Sequence, residues 1–162
     1  MKYHIRNANT QDIPVILSVY AAARAFMIQS GNPNQWGMTN PRPEQLKTDI
    51  ADGVLYVVED DSGIHGVFAF IIGEDPTYEI IYHGAWNYDT PYGTIHRIAS
   101  DGSGGIFSAA QAFCAAKCEY LRIDTHRDNS IMQHLITKNG FKRCGIIHIA
   151  DGSERIAYDR ML

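Results

Sequence analysis

The sequence predicts a mixed α/β fold in which helices cover both faces of a central sheet. Two turn signals between β-rich runs, Asp61-Ser62-Gly63 and Asp151-Gly152, indicate antiparallel hairpins. The apolar period also changes across the glycine-rich segment 100–106, which indicates a strand, a turn and a helix in succession. Because one chain contains both hairpins and a strand, helix, strand unit, we expect a mixed sheet that is mostly antiparallel.

The first half of the chain is predicted to contain one strand, two helices and a hairpin. Asn9 or Thr10 offers a cap for a long helix that ends near Gly31, followed by a loop rich in Gly, Asn and Pro. That helix carries apolar residues at steps of three and four: Ile13, Ile16, Leu17, Tyr20, Ala23 and Met27. The other predicted elements are strands over 3–6, 54–59 and 64–72 and a short helix over 43–51.

The second half is predicted to contain the glycine turn, two helices and a closing hairpin. Asn129 or Ser130 caps the second of these helices, and Gly140 ends it. The predicted elements are a strand candidate over 78–83, a strand over 93–100, a helix over 106–117, a strand over 120–125, a helix from about 130, and strands over 141–149 and 154–161. An aromatic-rich segment reaching Tyr92 separates the first two strands.

Size and charge limit the classes of protein to consider. The 162 residues, 45% of them hydrophobic, suffice for one core, so residues 1–162 are predicted to form a single domain. The net charge of -4 at pH 7, without a basic block, argues against a nucleic-acid partner. The sequence shows neither a signal-peptide pattern nor about 18 successive apolar residues. We therefore expect a cytoplasmic protein without a membrane partner.

The three cysteines do not follow the spacing of a metal site. Cys114 and Cys118 lie four residues apart on an apolar helical pattern, and Cys144 stands alone. Reduced thiols in the core are the first interpretation, and no metal is expected. A catalytic cysteine stays open at this stage, although neither Cys114 nor Cys118 has a histidine nearby in sequence.

The segment Ser100-Asp101-Gly102-Ser103-Gly104-Gly105-Ile106 is the sharpest feature of the sequence. A helix begins with unpaired N–H groups and a partial positive charge, and glycines before it let a phosphate approach the backbone. The nucleotide pattern GxxxxGK[ST] fails because no lysine follows Gly105, and GxGxxG fails because Phe107 occupies its third glycine position. A plain glycine-rich connection is the alternative. If a diphosphate binds here, a β-branched residue at Gly105 is expected to weaken binding more than folding.

The order of motifs resembles the GCN5-related N-acetyltransferase (GNAT) family over nearly the whole chain. The matching segments are IRNANTQDIPVI, VVEDDSGIHGVFAFI, GTIHRIAS with the glycine turn, IDTHRDN, and KNGF. The resemblance implies a GNAT-like sheet of six to seven strands that is splayed between GTIHRIAS and LRIDTH. It also implies acetyl-CoA as the cosubstrate, direct acetyl transfer to the amine of a small molecule or peptide, and a homodimer in many relatives.

The resemblance assigns the cofactor to particular residues of this chain. Backbone groups of Ile98 and Ser100 would pair with the pantetheine arm as an added strand does. The diphosphate would meet the N–H groups of Ser103, Gly104, Gly105, Ile106 and Phe107, and Asn129 matches a position that often contacts the cofactor. Three positions depart from the family pattern: Gly102 stands for Arg or Gln, Phe107 for Gly or Ala, and Ile136 for a tyrosine that often protonates the thiolate.

Several side chains are candidates for the chemistry, because an alkyl ammonium must lose a proton before its nitrogen attacks a thioester. His96 lies on the strand that would flank the thioester, and a structural histidine is the competing interpretation. Glu79 and His126 are weaker candidates. The acceptor is expected to meet the aromatic side chains Trp36, Trp86 and Tyr82, although ordinary packing explains them equally well.

Two functions therefore follow from the sequence. The first is an N-acetyltransferase whose acceptor amine is not specified by the residues. The second is an interaction module or sensor that binds acyl-CoA without turnover, which the isoleucine at position 136 suggests.

Overall fold

A seven-stranded sheet forms the centre of the structure, a computed structural model that describes residues 2–162. The strand order is β1-β2-β3-β4-β5-β7-β6. The strands are β1 (His4–Asn7), β2 (Leu55–Asp60), β3 (Gly63–Ile72), β4 (Gly93–Ser100), β5 (Tyr120–Thr125), β6 (Lys142–His148) and β7 (Glu154–Met161). Only β4 and β5 pair in parallel, and the other neighbours are antiparallel. The predicted mixed, mostly antiparallel sheet is confirmed.

Helices lie on both faces of this sheet, as predicted. They are α1 (Ile13–Gln29), α2 (Pro43–Ala51), α3 (Ile106–Lys117) and α4 (Ser130–Lys138). On one face, Ile16 of α1 and Leu46 of α2 are fully buried against β2, β3 and β4. On the other face, Phe107 of α3 and Ile136 of α4 pack on β4, β5 and β7. Apolar residues thus point to both sides of the central strands.

The start of α1 follows its predicted cap. The Asn9 side chain accepts the N–H of Gln11 at 3.0 Å, and Asp12 accepts the N–H of Asn9 at 2.9 Å, so the backbone turns once as a 3-10 helix before α1. By length and composition alone, Thr10–Gln29 is apolar enough to cross a membrane, a test that core helices also pass. Its buried residues, including Val19, face the sheet.

A β-bulge bends β4 in its middle. Arg97 has φ +51°, and the pairing with β3 shifts between Val67 and Ala69, so that Arg97 and Ile98 together oppose one residue of β3. Two helices hold the bulge: the α2 residue Asp49 accepts the Arg97 guanidinium at 2.9 Å, and the Tyr20 hydroxyl donates to the Arg97 carbonyl at 2.6 Å. The bulge therefore sits at a fixed place on the strand.

The predicted strand over 78–83 is wrong. Pro76–Tyr78 is a 3-10 turn that Asp75 caps by accepting the Thr77 N–H at 2.9 Å, and Tyr82 forms only an isolated bridge with Ile146. Proline lacks the N–H of a ladder, and an aspartate cap favours a turn. The connection between β3 and β4 consequently crosses the face of β5, β7 and β6, where Tyr78 joins a third cluster of buried residues.

The connection lies so close to β6 that a glycine is required. A Cβ at Gly145 would lie 2.6 Å from the carbonyl oxygen of Tyr82. Because this oxygen is a backbone atom, it cannot shift without displacing the chain around it. Gly145→Ala is expected to lower the free energy of unfolding by about 1–3 kcal/mol, as overpacking does. Chemical denaturation measures this loss. Gly104→Ala is the matched control, since a Cβ there meets nothing within 4 Å, and an equal loss in both variants would contradict the prediction.

Candidate active site

The two parallel strands at the centre of the sheet part soon after they meet. Their ladder contains only Gly93 with Leu121 and Thr94 with Arg122. Beyond Thr94, β4 has no ladder partner on the side of β5, so its backbone groups as far as Ser100 face an opening. This is the splay that the sequence resemblance implies, and an extended ligand could complete the edge as an added strand does.

A cavity of about 720 Å³ begins at this opening and lies between α1, the glycine turn and α4. All the residues that the sequence assigned to the cofactor line it: Ile98, Ser100, Ser103, Gly104, Gly105, Ile106, Phe107 and Asn129. Its volume lies within the range of small-molecule sites. The cavity therefore joins the open edge of β4 to the start of α3.

The glycine turn presents unused donors to this cavity. Gly105 has φ +81° and precedes α3, and within residues 2–162 the N–H groups from Gly104 to Ser108 have no hydrogen-bond acceptor. The turn is held from behind, because Ser100 Oγ accepts the Gly102 N–H at 3.0 Å. Unpaired N–H groups at a helix start favour an anion. A diphosphate fits this arrangement without any side-chain cation.

Asn129 has a structural role in the same cavity. Its side chain caps α4 by accepting the Met132 N–H at 3.0 Å and donates to Gln35 Oε1 at 2.9 Å. Gln35 also accepts from Asn32, a buried residue that lines the cavity. These bonds fix the loop after α1 against the start of α4.

Polar side chains gather at the mouth of the opening, on the face opposite α3. If the register of Thr94 with Arg122 is continued by two residues, His96 of β4 stands opposite Asp124 of β5. Tyr78 lies beside both, because its hydroxyl donates to Asp124 Oδ2 at 2.6 Å and its ring centroid is 6.5 Å from that of His96. His96 Nε2 lies 3.0 Å from Asp75 Oδ2. A histidine and two carboxylates thus meet where the strands part.

The charges of this group follow from its surroundings. The hydrogen bond with His96 lowers the pKa of Asp75 to about 2, so this carboxylate is ionised at neutral pH. Burial raises the pKa of Asp124 above its ordinary value, and also that of Tyr78, which stays a hydrogen-bond donor. An ionised Asp75 attracts the N–H of His96 to Nε2. The neutral ring then carries its lone pair on Nδ1, which has no partner within the described part of the chain.

Comparisons with known proteins agree with this geometry. No family model matches the sequence, and neither does any curated protein. Among solved structures, a GNAT-family acetyltransferase from Streptococcus agalactiae has 31% sequence identity and a TM-score of 0.90, over 99% of this chain and 95% of that chain. This chain belongs to the GNAT family.

Two more distant structures share the GNAT fold with this chain. A ribosomal-protein-alanine N-acetyltransferase from Brucella melitensis has 19% identity and a TM-score of 0.64 over 98% of this chain and 99% of that chain. N-acetylglutamate synthase from Neisseria gonorrhoeae has 15% identity and a TM-score of 0.63 over all of this chain and 35% of that chain.

Of the three candidate bases, only His96 both lies at the opening between β4 and β5 and has a ring nitrogen whose lone pair is without a hydrogen-bond partner among the described residues. His126 is nine-tenths buried, and its Nδ1 accepts the Asp128 N–H at 3.0 Å, so the neutral ring carries its proton on Nε2 and offers no lone pair. Burial and the nearby Arg155 lower the pKa of His126. Glu79 is exposed on the connection between β3 and β4. Its role stays a prediction.

The aromatic candidates for the acceptor are engaged in packing. Trp36 meets Tyr20 edge-on at 5.5 Å in the core beneath α1. Trp86 donates to the Tyr78 carbonyl at 2.9 Å, and the Arg122 guanidinium lies 4.0 Å from its ring. Tyr82 is 46% exposed beside β6, with β7 between it and the opening. The structure does not bring these three side chains together, and an acceptor contact remains a prediction for each.

Sequence reasoning missed Asp75, Tyr78 and Asp124 as members of the site. The Asp75-Pro76 pair could have indicated a capped turn, but nothing local shows that this turn reaches His96. Two of the three cysteines, Cys114 and Cys144, are buried thiols and therefore poor nucleophiles. Burial raises the pKa of Cys114, and it raises the pKa of Cys144 to about 12. Within residues 2–162, no group of three or more His, Cys, Asp or Glu is arranged to hold a metal.

Proposed function

We propose that this GNAT protein transfers the acetyl group of acetyl-CoA directly to an amine of a small molecule or peptide. One observation carries the proposal: a single opening between β4 and β5 joins a cavity with unused N–H groups to the His96–Asp75 pair. The fold also supports it, since the structure of the N-acetylglutamate synthase from N. gonorrhoeae is a complex with coenzyme A and N-acetyl-glutamate.

The cofactor side of the site needs only backbone groups. The free edge of β4 at Ile98 and Ser100 would pair with the amides of pantetheine, and the N–H groups from Gly104 to Phe107 would meet the diphosphate. Acetyl-CoA supplies an acyl group that is already activated as a thioester. These contacts do not depend on side chains. The two departures from the family pattern, Gly102 and Phe107, are therefore compatible with cofactor binding.

The acceptor side must attract a cation and then remove its proton. The carboxylates of Asp75 and Asp124 give this mouth a negative potential that favours an ammonium group. His96 Nδ1 accepts one proton from the nitrogen, and Asp75 stabilises the imidazolium. The neutral amine then bonds to the carbonyl carbon while the carbon–sulfur bond breaks, and the second proton of the nitrogen passes to the departing thiolate, directly or through water.

The leaving group does not require the tyrosine that is usual in the family. Ile136, at that position, is fully buried in the core between α4 and the sheet. A thiol has a pKa of about 8.5, so a thiolate leaves far more readily than an alkoxide and can take its proton from water afterwards. The isoleucine is therefore compatible with turnover.

Binding and turnover can be tested separately. At 100 times its dissociation constant, coenzyme A is expected to raise the free energy of unfolding by about 2.7 kcal/mol, which thermal or chemical denaturation detects. Release of thiol from acetyl-CoA across a panel of amines, amino acids and peptides then measures transfer. No stabilisation at saturating coenzyme A would reject the proposal. Stabilisation without transfer to any amine would favour the non-catalytic acyl-CoA-binding module.

A further inference from the structure

A histidine outside the cavity joins the glycine turn to the β2–β3 hairpin. His65 of β3 places Nδ1 2.8 Å from Asp101 Oδ2 and Nε2 2.9 Å from Asp60 Oδ1. The hydroxyl of Ser62 lies 2.7 Å from Nε2, and that of Ser103 lies 3.3 Å from Nδ1. One imidazole ring thus bridges two carboxylates that belong to different turns.

Asp101 belongs to the wall of the cavity. Its Oδ1 accepts the Ser103 N–H at 3.0 Å, so the carboxylate shapes the turn that leads to the unused N–H groups. An uncompensated negative charge at this position would repel an entering diphosphate. The turn itself carries no cation, since Gly102 stands where Arg or Gln is usual in the family. Nothing within the turn offsets the charge of Asp101, so a compensating charge would come from another part of the chain.

We propose that protonated His65 supplies this charge: it neutralises Asp101 from behind the glycine turn, and so tightens the binding of the coenzyme A diphosphate. The inference rests on the proposed function, because it assumes that the diphosphate binds at the start of α3. His65 does not line the cavity. It is a positioning residue that acts through Asp101.

The charges around His65 determine the direction of the pH dependence. Hydrogen bonds to Asp101 and then Asp60 raise the pKa of His65 above its ordinary value. Tyr3, whose ring centroid lies 6.4 Å from that of His65, has a raised pKa and stays neutral. Asp61 makes no hydrogen bond or ion pair with the ring among the described residues. Below the raised pKa of His65, the two carboxylates and the imidazolium leave one net negative charge, and above it they leave two. Affinity for a diphosphate therefore falls as the pH rises through that pKa.

Dephospho-CoA is the probe for this test, because the 3′-phosphate of coenzyme A is a monoester with a pKa near 6 and would titrate in the same range. We expect its dissociation constant to rise roughly three- to tenfold between about pH 6 and pH 8.5 in the wild type, as one added charge near a diphosphate predicts. His65→Gln keeps a donor and an acceptor but cannot titrate, so its affinity should hardly change with pH. Pantetheine lacks the diphosphate, and its affinity should show no such dependence in either protein.

A second variant separates the electrostatic role from a structural one. Asp101→Asn keeps an oxygen for the Ser103 N–H but removes the charge, so it is expected to bind dephospho-CoA more tightly than the wild type at about pH 8.5. If Asp101 and His65 served only to hold the turn, both variants would bind more weakly at every pH. That result would overturn the inference, as would a pH dependence that persists in His65→Gln.

The result that would refute the proposed function differs from the result that would refute only the role of His65. If the wild type bound neither coenzyme A nor dephospho-CoA at any pH, the cofactor assignment would be refuted, and this inference with it. If the wild type binds both, while His65→Gln retains the wild-type pH dependence, the inference alone is refuted. Denaturation of each variant at both pH values establishes that the comparison is made between folded proteins.

Discussion

Replacement of His96 by glutamine is expected to lower the kcat of acetyl transfer by about 10²- to 10³-fold, the usual effect of losing a general base. The affinity for coenzyme A should not change, because His96 does not line the cofactor cavity. Steady-state thiol release with the best acceptor from an amine panel measures the first quantity, and titration with coenzyme A measures the second. The split between kcat and cofactor affinity distinguishes a base from a residue that merely supports the fold.

Two further variants sharpen this test. Asp75→Asn keeps an acceptor for the Thr77 N–H but presents an N–H to His96, which drives the ring proton from Nε2 to Nδ1 and removes the base. It should therefore lower kcat by at least about tenfold. His126→Gln is the matched control, since the His126 Nδ1 already accepts a backbone N–H, and its kcat should stay close to that of the wild type. If His126→Gln were more damaging than His96→Gln, the assignment of the base would be wrong.

Local patterns were sufficient to predict most of the fold. The helix over 43–51 and the strands over 93–100, 120–125 and 154–161 agree with the structure at both ends, because caps, turns and apolar periods mark them in the sequence. The segment 78–83 failed because its one buried residue, Tyr78, is buried by packing across the sheet rather than by pairing within it, while Ile80 and Tyr82 are 63% and 46% exposed. Tyr78 is buried against Tyr120, Ile147 and their neighbours, and composition does not distinguish these two kinds of burial.

The wall of the cavity that we assign to the cofactor could be predicted from the sequence, whereas the cluster that we assign to the acceptor could not. The residues from Ile98 to Phe107 form one continuous segment, so placing the strand and the helix also places the cavity wall. The acceptor side combines three segments that are distant in sequence: His96 on β4, Asp124 on β5, and the turn with Asp75. Their meeting depends on where β4 and β5 part and on the path of a long connection. Neither feature has a local signal in the sequence.

Substitution of Gly104 by valine is expected to weaken coenzyme A binding by about 100-fold with little change in stability. Gly104 lines the cavity, has no positive φ and offers open space, since a Cβ there meets nothing within 4 Å. The valine side chain would occupy the space from which a diphosphate reaches the N–H groups before α3. Loss of two charge-assisted hydrogen bonds, each worth about 1.5 kcal/mol, corresponds to this factor. Titration with coenzyme A and denaturation without it measure the two quantities.

Gly105→Ala is the control for this variant. The backbone conformation of Gly105 also corrects the sequence-based expectation that a β-branched residue there would weaken binding more than folding. Gly105 has φ +81°, a conformation that costs a residue with a side chain roughly 1–2 kcal/mol, so a β-branched residue there would impair folding as well as binding. Gly105→Ala should therefore lose stability in the absence of any ligand, whereas Gly104→Val should not. If Gly104→Val bound coenzyme A as the wild type does, the diphosphate would not lie at the start of α3. A variant that lost stability and affinity in equal measure would indicate that the glycines serve only the turn.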